Sequence, residues 1–307
     1  MWSTIGAIMG KIFMMVLLGL VLKQRGIIDD KLQQGLASVV VNGFVPAMII
    51  ASANRDFSPE LASGLFTVFI IGTLYYVPLM IITPPVSRHL GMPEDKRKAF
   101  INLTIFANTG FIGFPLALEL LGNEGFIYVI FYNIFYQLFL FTYGINIMRG
   151  TNEYNFKTIF ANPATLCTFV SLIIMITHFR FPLFFQEALE TIGNCTTPCA
   201  LMIVGCSLAG TNLTEIFKDK YSYLVSFLRL IFYPVVMLIP LALLHVPYVP
   251  ATACVVTTAL PCASLLVPLS AEHNCAPEFS SRTTVQSMVL MIATLPVIIM
   301  LCDVFLK

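Results

Sequence analysis

The chain has 307 residues, of which 58% are hydrophobic and 11% charged, with a formal net charge of +1. Soluble domains carry about 25% charged residues, and a water-soluble chain this apolar would leave large exposed patches. The composition excludes an ordinary soluble domain, and the charge balance points to no acidic or basic partner such as a nucleic acid.

The N-terminal stretch MWSTIGAIMGKIFMMVLLGLVLKQRG lacks the basic start and small-residue cleavage site of a secretory signal, and Lys11 interrupts its apolar part. It reads as a first membrane helix. A bilayer core of about 30 Å needs about 20 apolar residues per helix. The chain offers such runs at 3–22, 32–53, 61–82, 98–122, 125–148, 158–178, 183–209, 222–245, 250–272 and 283–305. They are continuously apolar, without the alternation that barrel strands require. The expected fold is an all-α integral membrane protein of ten spans.

Loop charge sets the expected orientation. Odd-numbered loops hold Lys23, Arg25, Lys31, Arg88, Lys96, Arg97, Lys98, Arg149, Lys157, Lys218, Lys220 and Arg282, and even-numbered loops hold only Arg55 and Arg180. Odd loops then face the cytosol and both termini lie outside. The expected location is a plasma membrane, most simply a bacterial inner membrane.

Two halves repeat at a nearly constant offset. Asn42 and Pro46 in the second run recur as Asn194 and Pro198 in the seventh; Asn108 and Pro115 in the fourth are matched by Pro261 and Pro268 in the ninth. Each half, 1–153 and 154–307, holds five spans. An odd number makes the second copy enter the membrane the other way round, which is the inverted repeat of secondary transporters.

The stretch IFANTGFIGFP, 105–115, puts polar and helix-breaking residues inside an apolar run. Asn108 lies about nine residues from one end, so roughly 14 Å deep at helical rise. Backbone opened at that depth must find partners in protein, water or ligand. Pro115 suits the first turn of a restarting half-helix, whose free N–H groups and positive dipole end favour an anion. Pro261 and Pro268 are expected to act likewise from the opposite side, with Ser264 in the gap between them. This predicts a substrate site at the crossing, with Asn108, Thr109 and Gly110 as contacts and Ala107 at the break. Asn133 and Gln137 share a face of the fifth span and reach the same region; Asn42 and Asn194 either line the cavity or bond between helices.

Charges inside the runs are Lys11, Glu119 and Arg229. Lys11 and Glu119 fall in the same outer half and can pair, and Arg229 is expected to snorkel toward the cytosolic face. No CxxC pair exists, so the eight cysteines read as small packing residues, and the four histidines as interfacial polar groups. No metal or cofactor is expected. A coupling Na+ or H+ stays open, since no midplane pair of acids is present.

Four segments carry a resemblance: LLGLVLKQRGIIDDKLQQGLASVVVNGFVPAMIIAS, FANTGFIGFPLALELLG, IGNCTTPCALMIVGCSLAG and ALPCASLLVPLSAEHNCAPEFSSRTTVQSMVLMIATLP. Together they resemble the auxin efflux carrier family, which includes plant auxin exporters and bacterial permeases for malate and malonate. The resemblance covers essentially the whole chain. It implies two inverted five-helix repeats whose fourth and ninth helices cross at the midplane. It also implies a homodimer with helices 1, 2, 6 and 7 as scaffold and 3–5 and 8–10 moving as an elevator. It puts Asn108 at the family's substrate-binding asparagine and Pro261 at the second crossover proline. Ala107 stands where plant members have proline, and the 149–157 loop between the halves is short. Both departures point away from auxin itself and toward a bacterial carboxylate permease. The implied function is a secondary carrier for small organic anions, the alternative being a sodium- or proton-coupled symporter or antiporter of the same fold. An enzyme would need a nucleophile–base set or metal cluster that the sequence does not offer.

Overall fold

The computed structural model describes residues 2–55, 57–151, 162–209 and 216–307, with side chains from residue 6 onward. Residues 158–161 of the expected sixth span, and Lys157 of its preceding loop, lie outside the described residues.

Among those residues the protein is helical, with a single two-residue bridge in place of strands. Helix α1 (Trp2–Gln24) is followed by α2 (Asp30–Val39), which passes through a π-turn (Val40–Phe44) into α3 (Val45–Ser52). Asp29 caps α2 by accepting from the Leu32 N–H at 2.7 Å. Ser58 likewise caps α4 (Pro59–His89), which has proline in its first turn, where the missing N–H costs nothing.

Next come α5 (Glu94–Ile105), a π-turn (Thr109–Gly113), α6 (Phe114–Phe139), a second π-turn (Leu140–Gly144) and α7 (Ile145–Arg149). The expected fourth span is thus divided. It stops at Ile105, runs extended through Phe106–Asn108, and restarts with Pro115 in the first turn of α6. Gly122 (φ 64°, ψ −162°) turns the chain within α6, at the expected border between the fourth and fifth spans. That backbone is open to glycine and strained for other residues.

The second half holds α8 (Pro163–Ile176), α9 (Leu183–Asn194), α10 (Thr196–Leu208) and α11 (Lys220–Phe227). A π-turn (Leu228–Phe232) then leads into α12 (Tyr233–Leu243), followed by α13 (Tyr248–Thr258), α14 (Leu266–Glu272) and α15 (Pro277–Phe305). The expected ninth span is also divided, α13 and α14 being separated by a non-helical stretch over 259–265.

Seven helical stretches among the described residues are long and apolar enough to cross a membrane; Thr109–Arg149, with 41 residues, merges two expected runs. Large apolar side chains such as Leu74, Leu183, Phe184, Leu243 and Leu244 stand on the outside, where lipid rather than water suits them.

Glycine sets the closest helix contacts. A Cβ on Gly19 of α1 would lie 1.9 Å from the Met202 carbonyl oxygen of α10, and one on Gly205 of α10 would lie 1.9 Å from that of Val16. Gly193 of α9 meets the Met48 backbone of α3 in the same way. Backbones approach this closely only over small residues. α1 therefore rides on α10, and α3 on α9 and α8, while α4, α5, α6, α11, α13 and α15 pack mainly among themselves.

Candidate functional site

The two interruptions meet. Ala107 and Cys262 form an antiparallel bridge. The Asn108 N–H donates to the Pro261 carbonyl at 2.9 Å, and the Ala263 N–H donates to the Phe106 carbonyl at 3.1 Å. Two backbones that left their helices in a buried place satisfy each other, which removes most of the cost of breaking them there. Cys262 N–H finds the Ser287 hydroxyl of α15 at 3.1 Å.

Arg229 completes the crossing. It is fully buried and donates to three carbonyls: Leu260 (3.0 Å), Thr104 (3.1 Å) and Thr258 (3.4 Å). These lie at the C-terminal ends of α5 and α13, where carbonyls lose their intrahelical donors and the dipole is negative. The expectation that Arg229 snorkels to the cytosolic face is therefore wrong. The guanidinium fork is held at the crossing because it supplies several donors where two helix ends need them.

Asn108 caps the other side. Its side-chain oxygen accepts from the Phe111 N–H at 3.3 Å, and its amide donates to the Ser264 hydroxyl at 2.8 Å. One residue thus caps the restarting helix and ties it to the second break. Thr109, fully buried, donates to the side-chain oxygen of Asn133.

Asn108 also lies on the wall of a cavity of about 740 Å³. Its buried lining includes Asn108, Asn133, Gln137 and Thr284, and its exposed lining includes Gln34, Ser38, Asn42, Ala271 and Pro277. Phe111, Phe114, Tyr136, Val285 and Met288 supply apolar wall. No charged side chain lines it among the described residues. The Thr284 hydroxyl, on a residue 3% exposed, has no partner among the described residues. Gly110 also lines the cavity, and a Cβ there would meet nothing within 4 Å.

The residues singled out in the sequence divide accordingly. Asn108, Gly110, Asn133, Gln137, Ser264, Pro268 and Asn42 line this cavity, Asn42 at its exposed edge and bonded to Ser38. Thr109, Ala107 and Pro261 sit behind the wall, holding the crossing. Asn194 ends α9, is exposed and is not part of the cavity. Lys11 and Glu119 stand away from it and form an ion pair of 2.7 Å joining α1 to α6. Gln33, Gln34, Asn162, Ser207 and Thr284 were missed. Only Asn162 had a signal, as an N-cap before Pro163, accepting from the Ala164 and Thr165 N–H groups. Its amide also reaches Gln137 at 3.4 Å. No group of three metal-ligating side chains is present among the described residues.

The arrangement offers neutral donors and a half-helix N-terminus at a buried break, with no set of nucleophile and base among the described lining residues. Comparison with known proteins gives the class. Residues 5–159 and 154–299 both match the model of a family described as membrane transport protein. The chain belongs to that family. It is the family that the four segments resemble, and its activity is transport rather than catalysis. A proposed malonate transporter from Rhizobium meliloti is 25% identical over 272 residues, covering 84% of this chain and 83% of that protein. An uncharacterized transporter from Methanocaldococcus jannaschii is 24% identical over 64% of this chain and 67% of its own length. A second one, from Methanothermobacter thermautotrophicus, is 28% identical over 40% of each.

Proposed function

We propose that this membrane transport protein is a secondary carrier for small organic anions, carboxylates in particular, working by alternating access. The observation that carries the reading is Asn108, which caps the restarting helix, joins the two breaks and forms part of the buried wall of the cavity. A half-helix N-terminus with neutral donors is a built anion site, and one placed at a broken membrane helix suits a transporter. The malonate assignment of the Rhizobium relative makes malonate a first candidate substrate.

The proposed architecture is two inverted five-helix repeats, 1–153 and 154–307, supported by the meeting of the α5–α6 break with the α13–α14 break. In the proposed orientation the odd loops face the cytosol and both termini lie outside a plasma membrane. The exposed cavity lining, from α2, α14 and the start of α15, belongs to the odd-loop ends, so this conformation would open inward. The proposed motion is an elevator, with α1–α3 and α8–α10 as scaffold of a homodimer. The glycine contacts that lock α1 to α10 and α3 to α9 favour that grouping.

The test is uptake of labelled malate, malonate and indole acetate into proteoliposomes, with and without sodium and pH gradients. Saturable flux of one acid that fails in Asn108→Ala supports both class and site, and its gradient dependence identifies any coupling ion. Absence of flux for every acid with folded protein removes the carboxylate reading.

A further inference from the structure

The charges at the crossing can be counted. An α-helix end carries about half an elementary charge, negative at its C-terminus and positive at its N-terminus. The C-terminal ends of α5 and α13 together present about one negative charge, and Arg229, donating to Thr104, Thr258 and Leu260, supplies one positive charge against it. Arg229 is thereby spent within the protein and does not line the cavity.

On the cavity side the count is smaller. The helix restarting at Thr109 offers at most about half a positive charge, because its Thr109, Phe111 and Gly113 N–H groups already donate to the Ala107 carbonyl, the Asn108 side-chain oxygen and the Asn108 carbonyl. The seven-residue α14 adds little, since its first N–H groups are occupied locally: Leu266 bonds to Ala263 at 3.0 Å and Val267 to Ser264 at 3.2 Å. Among the described residues the remaining polar lining is neutral, and the Thr284 hydroxyl at the buried wall has no partner. Charged groups on the surrounding elements, among the described residues, are Asp30 and Lys31 of α2, Glu94, Asp95, Lys96, Arg97 and Lys98 of α5, Glu119 and Glu124 of α6, Glu272 of α14, and Glu278, Arg282 and Asp303 of α15. None of them lines the cavity. Tyr136 is the only titratable side chain that does among the described residues, and a phenol is neutral at physiological pH.

We infer that the site accepts anions of a single net charge and takes a dicarboxylic acid only as its hydrogen-anion. One negative charge is met by the dipole of the restarting helix and by neutral donors. A second would be desolvated with no counter-charge among the described lining residues, which a low-dielectric site opposes strongly. This rests on the carrier reading above and adds to it the charge state of the substrate.

The experiment is counterflow in proteoliposomes at equal pH on both sides, from pH 5 to pH 8. It compares labelled malonate with labelled malonamate, in which one carboxylate is replaced by a neutral amide. Malonamate exchange is expected to stay flat with pH. Malonate exchange is expected to fall about tenfold per pH unit once its second carboxyl ionises, following the hydrogen-anion. Gln137→Lys, which puts a cation on the wall, is expected to raise malonate exchange at pH 8 at least tenfold. Malonate exchange that is level or rises with pH overturns the inference and leaves the carrier intact, as does malonate exchange without malonamate exchange. A folded Gln137→Lys protein with no gain also counts against it. Exchange of neither acid removes the carboxylate reading and the inference together. If Gln137→Lys does not fold, the wild-type comparison of the two acids decides alone.

Discussion

Arg229 and Leu260 stand 3.0 Å apart from guanidinium Nε to carbonyl oxygen, in the fully buried middle of the molecule. A lone arginine in such a place is expensive unless its donors are used. Here three of them reach carbonyls at the ends of two different helices, so the residue and the two breaks require each other.

Replacing Arg229 by Met keeps much of the volume and leaves three buried carbonyls without this donor. Each buried carbonyl left without a donor costs about 1–3 kcal/mol. Arg229→Met is expected to lower the thermal midpoint of the purified protein sharply, and Arg229→Lys, with one compact donor group in place of the fork, to recover only part of it. A midpoint within a degree of wild type for Arg229→Met would show that the crossing stands without this charge.

Asn108→Ala removes a cap and a cross-link but not the backbone pairing, because the Asn108 N–H still reaches the Pro261 carbonyl. Loss of an N-cap costs roughly 1 kcal/mol. The variant is expected to fold and insert normally, with flux lowered at least tenfold. Ser264→Ala loses one hydrogen bond from the same site and is expected to lower flux less. Substrate uptake beside a thermal melt separates the two effects.

Two glycines with opposite surroundings give a clean contrast. Gly19→Ala drives a methyl to 1.9 Å from a backbone oxygen of α10, which neither helix can yield cheaply. Overpacking of this kind costs on the order of 1–3 kcal/mol. Gly110→Ala points into open space on the cavity wall. The expected result is a destabilised Gly19 variant and a stable Gly110 variant whose effect shows in KM. Equal stability of the two would mean that α1 and α10 are looser than their contact implies.

The helical class and the two broken runs were legible because their signals are local. Apolar length marks a helix in lipid, and Asn, Gly and Pro inside such a run mark an interruption. The facing of Asn133 and Gln137 followed from helical period, and both line the cavity. What could not be read was decided by tertiary partners. Helical rise places Arg229 at a depth but says nothing of the carbonyls it faces, and Asn194 shares its motif with Asn42 while standing on a different surface. Gln33, Gln34 and Thr284 sit in ordinary helical sequence and become cavity lining only through the way α2 and α15 pack.

The Lys11–Glu119 pair, 2.7 Å apart, joins α1 to α6, with side chains 57% and 27% exposed. In water such a pair contributes under about 1 kcal/mol. Both residues lie on stretches apolar enough to span a bilayer, where removing one partner strands the other, and a lone charge near the helix centre costs about 2.5–3.5 kcal/mol on insertion scales. Lys11→Gln and Glu119→Gln are each expected to destabilise the protein in lipid nanodiscs more than the double variant does. The double-mutant cycle then gives a favourable coupling. The pair also ties an element of the proposed scaffold to one of the proposed moving part, so the double variant is expected to change the transport rate while leaving substrate KM near wild type. Additive losses in the cycle would mean that the two charges are solvated separately and that α1 and α6 are held together by packing alone.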